Sequence, residues 1–291
     1  MSQILQRIPA RPASDGAGVK IRRIIPSPNY GVMDPFLMLD EIRSDSADDY
    51  GAGFPPHPHR GFETITYLRQ GALEHEDHMG NRGVIHAGGA QWMTAGRGVI
   101  HSEMPVNRDG AFHGFQLWLN LPATEKLRPP EYHNLQAEDI PRLELGPHEV
   151  KVLAGRFSPG ASAETSDPAQ ETAVQGPIGD RTTQPQLWDL TLAADEPLQL
   201  ALDPQLNTLV FVCEGSVSVD GRHLAAGELA RVQHSGSLEL HTESGAGLLL
   251  LAGRPLGEPV AQYGPFVMNT RAEIEQAIAD YQSGALTAAA Q

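Results

Sequence analysis

The chain of 291 residues has a single cysteine, no long apolar run and few basic residues for its size. One cysteine cannot close an intrachain bridge, so no disulfide framework supports this fold. Cys213 ends the apolar run Leu209-Val-Phe-Val-Cys213 and reads as a small buried core residue. No segment holds the ~20 consecutive apolar residues that a membrane span needs, and the N-terminus lacks the basic-then-apolar form of a signal peptide. The expectation is a cytoplasmic protein without a membrane partner. Lysine and arginine number 21 against 36 acidic residues, a formal charge of −15. An acidic surface repels phosphate backbones, so direct nucleic-acid binding is not expected. The short basic stretch at Lys20, Arg22 and Arg23 reads as a solvated strand face.

What is abundant is glycine (30) and proline (23), which suits an all-β chain with many turns. Strands are predicted over Val19–Ile25, Phe36–Leu39, Gly61–Leu68, Ala72–Asp77, Gln91–Thr94, Val99–Met104 and His113–Leu121. Many short strands at this spacing argue for sandwiches or barrels, not alternating β-α units. Residues 122–148, rich in proline and charge, read as a boundary. Strands resume at Val150–Leu153, a surface loop fills roughly 156–186, and further strands follow at Leu187–Leu192, Thr208–Val212, Ser216–Val219 and Leu248–Leu251.

A weak internal repeat lays Phe62–Gly71 on Leu206–Gly215. It carries the positions of His57 and His59 onto Ala201 and Asp203, so only the first half keeps imidazoles there. Thr270-Arg-Ala-Glu273 is a capping-box signature, and Ile274, Ala277, Ile278 and Tyr281 fall on one face of the helix it starts. The expected domains are residues 1–135, a metal-binding barrel, and 136–291, a second barrel without metal ligands that ends in the helix.

The chemistry sits in two short stretches. In Phe54-Pro-Pro-His-Pro-His-Arg-Gly-Phe-Glu63, His57 and His59 are two apart on an extended segment stiffened by Pro58, so both rings face one side, about 6–7 Å apart along the chain. Arg97-Gly-Val-Ile-His-Ser-Glu103 does the same with His101 and Glu103. Two such pairs can meet inside one small barrel and ligate one metal ion. Glu63 shares the parity of His57 and is a second candidate for the acidic ligand. His75 and His78 read as a solvated hairpin tip; His86 and His113 are placed at the barrel mouth; Arg60 and Arg97 read as accessory cations or ordinary ion pairs. Phe36, Met38, Phe54, Phe62, Trp92, Met93 and Trp118 are candidates for an apolar wall, most of them core.

The His-x-His pair followed by Glu63, and the segment Gly89–His101, resemble the two cupin motifs. Within cupins the chain resembles the pirin family over nearly its whole length, through PHPHRGFETITYL, GNRGVIHAGGAQWMTAGRGVIHSEMP, FQLWLNLP and YGPFVMNTRAEIEQAI. The resemblance implies two jelly-roll-like β-barrels in tandem with a C-terminal α-helix, and one divalent ion, iron(II), on His57, His59, His101 and Glu103. General cupins draw the acidic ligand from the first motif, which here is Glu63; pirins use the glutamate two beyond the last histidine, which favours Glu103. The N,O ligand set suits Fe(II), with Mn, Co, Ni, Cu or Zn as alternatives. The resemblance further implies a quercetin 2,3-dioxygenase acting on a small aromatic substrate with O2, with Glu103 also accepting the substrate proton. The alternative it implies is a redox-sensing regulator that binds a protein partner and is no enzyme.

Overall fold

The structure is a computed structural model and describes residues 2–29, 31–106, 110–158, 173–179 and 181–288. The chain forms two compact units: Arg11–Asp139 with Leu256–Gln291, and Met1–Ala10 with Ile140–Pro255. Among the described residues no helix is long and apolar enough to cross a membrane.

In the unit that carries the histidines, seven antiparallel strands run in the order Glu131–Leu135, Ala90–Thr94, Phe62–Gln70, Phe112–Asn120, Phe36–Ser44, Val19–Ile25 and Arg11–Asp15. A second sheet has the order Phe54–His59, Val99–Pro105, Ala72–Asp77 and Arg82–His86. Val19, Ile21, Ile42, Leu68 and Phe112 of the first sheet pack with Leu73 and Ile85 of the second, so the core lies between the two sheets. The result is the expected all-β, jelly-roll-like barrel.

The other unit repeats the plan. Its main sheet runs Gln3–Pro9, Glu228–Gln233, Asn207–Val219, Ala246–Gly253, Gln186–Leu192, His148–Ala154 and Arg142–Leu145. Where two strands are expected from Thr208 to Val219, one strand of 13 residues runs from Asn207 to Val219. Its first half pairs with Glu228–Gln233 and Ala246–Gly253, its second with Arg222–Ala225 and Ser237–His241. A register shift between Val212 and Glu214, followed by Gly215 at φ +66°, bends the strand from one set of partners to the other. Of the expected surface loop, residues 159–172 and 180 lie outside the described residues; Arg156–Phe157 and Val174–Gln175 form a short ladder.

The expected boundary at 135/136 differs from the observed division at both ends of the chain. Gln3–Pro9 pairs with Glu228–Gln233, which draws the N-terminus into the second unit. The C-terminal helix, Arg271–Ser283, packs Ile274 and Ala277 on Phe266, Met268 and Leu286 within the histidine-bearing unit. Its capping box is complete: Thr270 accepts from the Glu273 N–H, and the Glu273 carboxylate accepts from the Thr270 N–H. Tyr281, expected on the buried face, is 42% exposed.

Candidate metal centre

His57 and His59 project from the strand Phe54–His59, which pairs with the strand that carries His101 and Glu103. His101 stands opposite His57, but the register then slips, so that Glu103 faces Phe54. Pro55 and Pro56 lie at the slip; neither offers an N–H to the ladder, so continuous pairing is lost where they occur.

Ligand atoms of His57, His59 and His101 all lie within 4.8 Å of one another. Their ring centroids are 4.4–5.0 Å apart. Both ring nitrogens of His59 and Nε2 of His101 are buried without a hydrogen-bond partner. The Pro265 carbonyl lies near His59 and mildly favours its protonated form, but burial outweighs it, with His57 adding to the effect. Burial likewise holds the His101 pKa well below the usual histidine range, helped by His59, His57 and His75. Buried, neutral imidazoles with orphaned nitrogens are what a divalent ion requires, so the residues present fit a metal.

The tautomers agree with this. His57 Nδ1 lies 2.8 Å from the Pro55 carbonyl oxygen, to which only an N–H can donate, so Nε2 is left as the acceptor. His101 Nδ1 lies 3.3 Å from His75 Nδ1, and His75 Nε2 lies 3.4 Å from Asp77 Oδ2. One assignment satisfies the row: His101 Nδ1–H donates to His75, whose Nε2–H donates to Asp77, leaving His101 Nε2 for a metal. Asp77 is fixed in turn by the Met79 and Asn81 backbone N–H groups and the Asn81 side chain, at 2.8–3.1 Å. Burial raises its pKa, but these bonds and that from His75 outweigh it and hold the carboxyl below the usual range.

His75 is therefore not at a solvated tip. It is buried, stacked on Tyr132 at 4.3 Å, and supports His101 from behind. The acidic neighbours Glu74 and Glu76 obscure this in the sequence. Parity reveals it, because Leu73, His75 and Asp77 share the inward face of one strand. A His75→Phe protein keeps a ring on Tyr132 but loses the acceptor for His101; its metal affinity in chelator competition is expected to fall about 10–100-fold with the fold retained.

Glu103 is 2% exposed, and its oxygens accept from Thr66 Oγ1 and Gln116 Nε2, each at 2.6 Å. Glu63 is also buried and accepts from Thr94 Oγ1 at 2.6 Å, a bond across paired strands. Neither carboxylate belongs to the close cluster of three imidazoles. His113 is buried against Glu41 at 2.9 Å, His86 is exposed, and neither borders the cavity described below.

Arg60 and Lys126 have structural tasks at the turn after His59. Arg60 reaches Asp280 of the C-terminal helix at 2.6 Å and donates to the Arg97 carbonyl. Lys126, 1% exposed, donates to the Gly61 carbonyl at 2.7 Å, Asn120 Oδ1 at 2.7 Å and the Val267 carbonyl at 3.0 Å. Three acceptors saturate an ammonium, while burial pushes the pKa down to about 7. Gly61 is required here: its φ is +90°, and a Cβ would run into the Val267 carbonyl. Lys126→Met leaves three acceptors without their donor, and thermal or denaturant unfolding is expected to show a loss of about 2–4 kcal/mol.

A cavity of about 580 Å³ opens on His57 and His59. Met38, Phe54 and Trp118 give it an apolar wall; Phe36, Phe62, Trp92 and Met93 are core. Trp118 and Phe62 pack edge-on to the His59 ring at 5.3 and 5.1 Å. Polar groups at the cavity include Arg23, held by Asp40 and Asp15 at 2.7–2.9 Å, Asp15 itself, Ser27, and the amides of Gln116 and Gln262. Gln262 Oε1 is buried and lacks a donor.

Comparison with known proteins agrees with the geometry. The Pirin family model matches residues 18–119, and that of the pirin C-terminal cupin domain matches residues 187–287. A protein of Pseudomonas aeruginosa provisionally named a quercetin 2,3-dioxygenase is 49% identical, over 97% of each chain. A Vibrio cholerae protein of the same provisional name is 45% identical, over 97% of this chain and 96% of its own. The crystal structure of quercetin 2,3-dioxygenase from Acinetobacter baumannii superposes with a TM-score of 0.86 at 33% identity, covering 99% of both chains. With both cupin units matched and such identity along its length, the chain belongs to the pirin family.

Proposed function

We propose that the protein is a metal-dependent dioxygenase that opens flavonols such as quercetin with O2, at one ion held by His57, His59, His101 and Glu103. The observation that carries this reading is that His57 and His59, two members of the imidazole cluster, border an apolar-walled cavity of about 580 Å³. That volume lies within the ~300–1,000 Å³ range of small-molecule clefts and suits a flat polycyclic substrate. The provisional names of the Pseudomonas and Vibrio relatives and the Acinetobacter dioxygenase structure support the same chemistry.

Three neutral imidazoles and one carboxylate would hold a divalent ion at a net charge of about +1, suited to polarising a bound oxygen ligand. Iron(II) is the ion we assign; when bound it supplies the charge that stabilises a flavonolate and a position for dioxygen. The chain's own residues do the rest. Met38 and Trp118 hold the aromatic body and exclude water, while Gln262 Oε1, without a donor of its own, takes a substrate hydroxyl. Glu103 removes the proton of the flavonol 3-hydroxyl; Thr66 and Gln116 hold its two oxygens in place and compensate its charge when it is ionised. His75 and Asp77 keep His101 in its ligating tautomer.

Anaerobically iron-loaded protein, given quercetin and then O2, is expected to consume one O2 and release one carbon monoxide per flavonol. Quercetin left intact by protein carrying one iron per chain contradicts the assignment.

A further inference from the structure

The second unit has a cavity of its own, about 270 Å³, bordered by Arg156, Gln186, Trp188, Ala201, Asp203 and Leu206. Ala201 and Asp203 are the positions onto which the sequence repeat carries His57 and His59. Strand register gives the same answer independently. In the first unit Thr64 pairs with Trp118, which pairs with Met38 at the metal cavity. In the second, Thr208 pairs with Ala252, which pairs with Gln186 at this cavity. Thr64 and Thr208 are matched by the repeat, so Gln186 stands where Met38 stands. The second barrel thus keeps a cavity at the place where the first has its metal cavity, with the imidazoles replaced.

Its lining is not a plain filled core. Trp188 is 1% exposed, and its Nε1 has no acceptor; Gln186 Oε1 is buried without a donor. A buried N–H or C=O left unpaired is destabilising, and a ligand with matching groups recovers that loss. Arg156 makes no ion pair with a described residue and brings a guanidinium to the rim; Asp203 brings a carboxylate, one oxygen of which accepts the Gln205 N–H at 2.9 Å. Leu206 and the neighbouring Leu202 supply apolar contact. With a cation and an unpaired N–H beside an unpaired amide oxygen and a carboxylate, around a volume just below the ~300 Å³ of larger ligands, the lining suits a compact molecule with both an anionic and a hydroxyl group.

We propose that the second barrel binds a small hydroxy-carboxylic acid, its carboxylate on Arg156 and the Trp188 N–H, its hydroxyl donating to Gln186 Oε1 or Asp203. The site is separate from the metal centre and does not depend on the flavonol reading. The test uses the full chain with 4-hydroxybenzoate as probe, followed by isothermal titration and by tryptophan fluorescence. Saturable 1:1 binding is expected in wild type and in His101→Ala alike. Binding should weaken about tenfold or more in Arg156→Ala and in Gln186→Leu, as expected for losing a charge-assisted bond or a buried acceptor. Benzoate should bind more weakly than the hydroxy acid. No saturable binding at millimolar probe overturns the proposal, as does binding that disappears in His101→Ala and persists in Arg156→Ala. Equal binding of benzoate removes the hydroxyl assignment.

Discussion

His101→Ala is expected to abolish both metal retention and turnover while leaving the metal-free protein folded. Nε2 of this residue is buried without a protein partner, and its ring is held from behind by His75. Truncation removes one buried ring and the bond to His75, so the metal-free variant should fold but melt somewhat below metal-free wild type. Even groups one bond removed from a metal are worth about 10–100-fold in affinity, so a ligand itself should cost more than about a hundredfold. The clearest readout is the metal-dependent rise in melting temperature. An ion at ~1,000 times its dissociation constant stabilises the folded state by about 4 kcal/mol. Wild type should show that rise, and His101→Ala should melt alike with and without metal. A variant that keeps one ion per chain and the full shift would remove His101 from the ligand set.

The second large effect is expected for Glu103→Gln set beside Glu63→Gln. Both carboxylates are buried and both accept a hydroxyl bond at 2.6 Å, so bulk and packing are matched in the two variants. At residue 103 a glutamine can still accept from Thr66, and Gln116 can turn its amide to accept from the new N–H, so the fold should tolerate the change. What is lost is the negative charge on the ion and the acceptor for the substrate proton. Loss of a positioned general base alone costs about 10²–10⁴-fold in rate, and metal affinity should fall as well. Glu63→Gln keeps its bond to Thr94 and should stay near wild type in both respects. The reverse pattern, with Glu103→Gln active and Glu63→Gln metal-free, would make Glu63 the ligand.

Much of this architecture is legible in the chain because its signals are local. Val19–Ile25 and Ala72–Asp77 form with the expected bounds, since alternation and flanking turn residues both lie within a few positions. The capping box at Thr270 announces its helix for the same reason. The clustering of His57, His59 and His101 follows from side-chain parity on two strands, together with the pairing of those strands.

What is not legible depends on partners far away in sequence. Nothing in Gln3–Pro9 says that it pairs with Glu228–Gln233, and nothing near Asp280 says that it meets Arg60. A linear division of the chain therefore separates both ends from the segments they pack against. The slip opposite Glu103 is a property of the pairing, not of either strand, and the two prolines that accompany it are visible beforehand without their register. His75 is the instructive miss: its acidic neighbours suggest solvent, whereas its parity with Leu73 and Asp77 places it inside. In a strand, alternation is a better guide to burial than the polarity of adjacent residues.

The central claim is that one ion sits on His57, His59, His101 and Glu103 and that a flavonol reaches it through the cavity walled by Met38 and Trp118. Diffraction at the iron absorption edge, from crystals of iron-loaded protein soaked anaerobically with quercetin, measures both halves at once. The account predicts a single anomalous peak within bonding distance of the three imidazoles and the Glu103 carboxylate, with the flavonol's oxygenated edge toward it. A peak bonded to Glu63 in place of Glu103, a peak in the second barrel, or a flavonol bound away from the ion would contradict it.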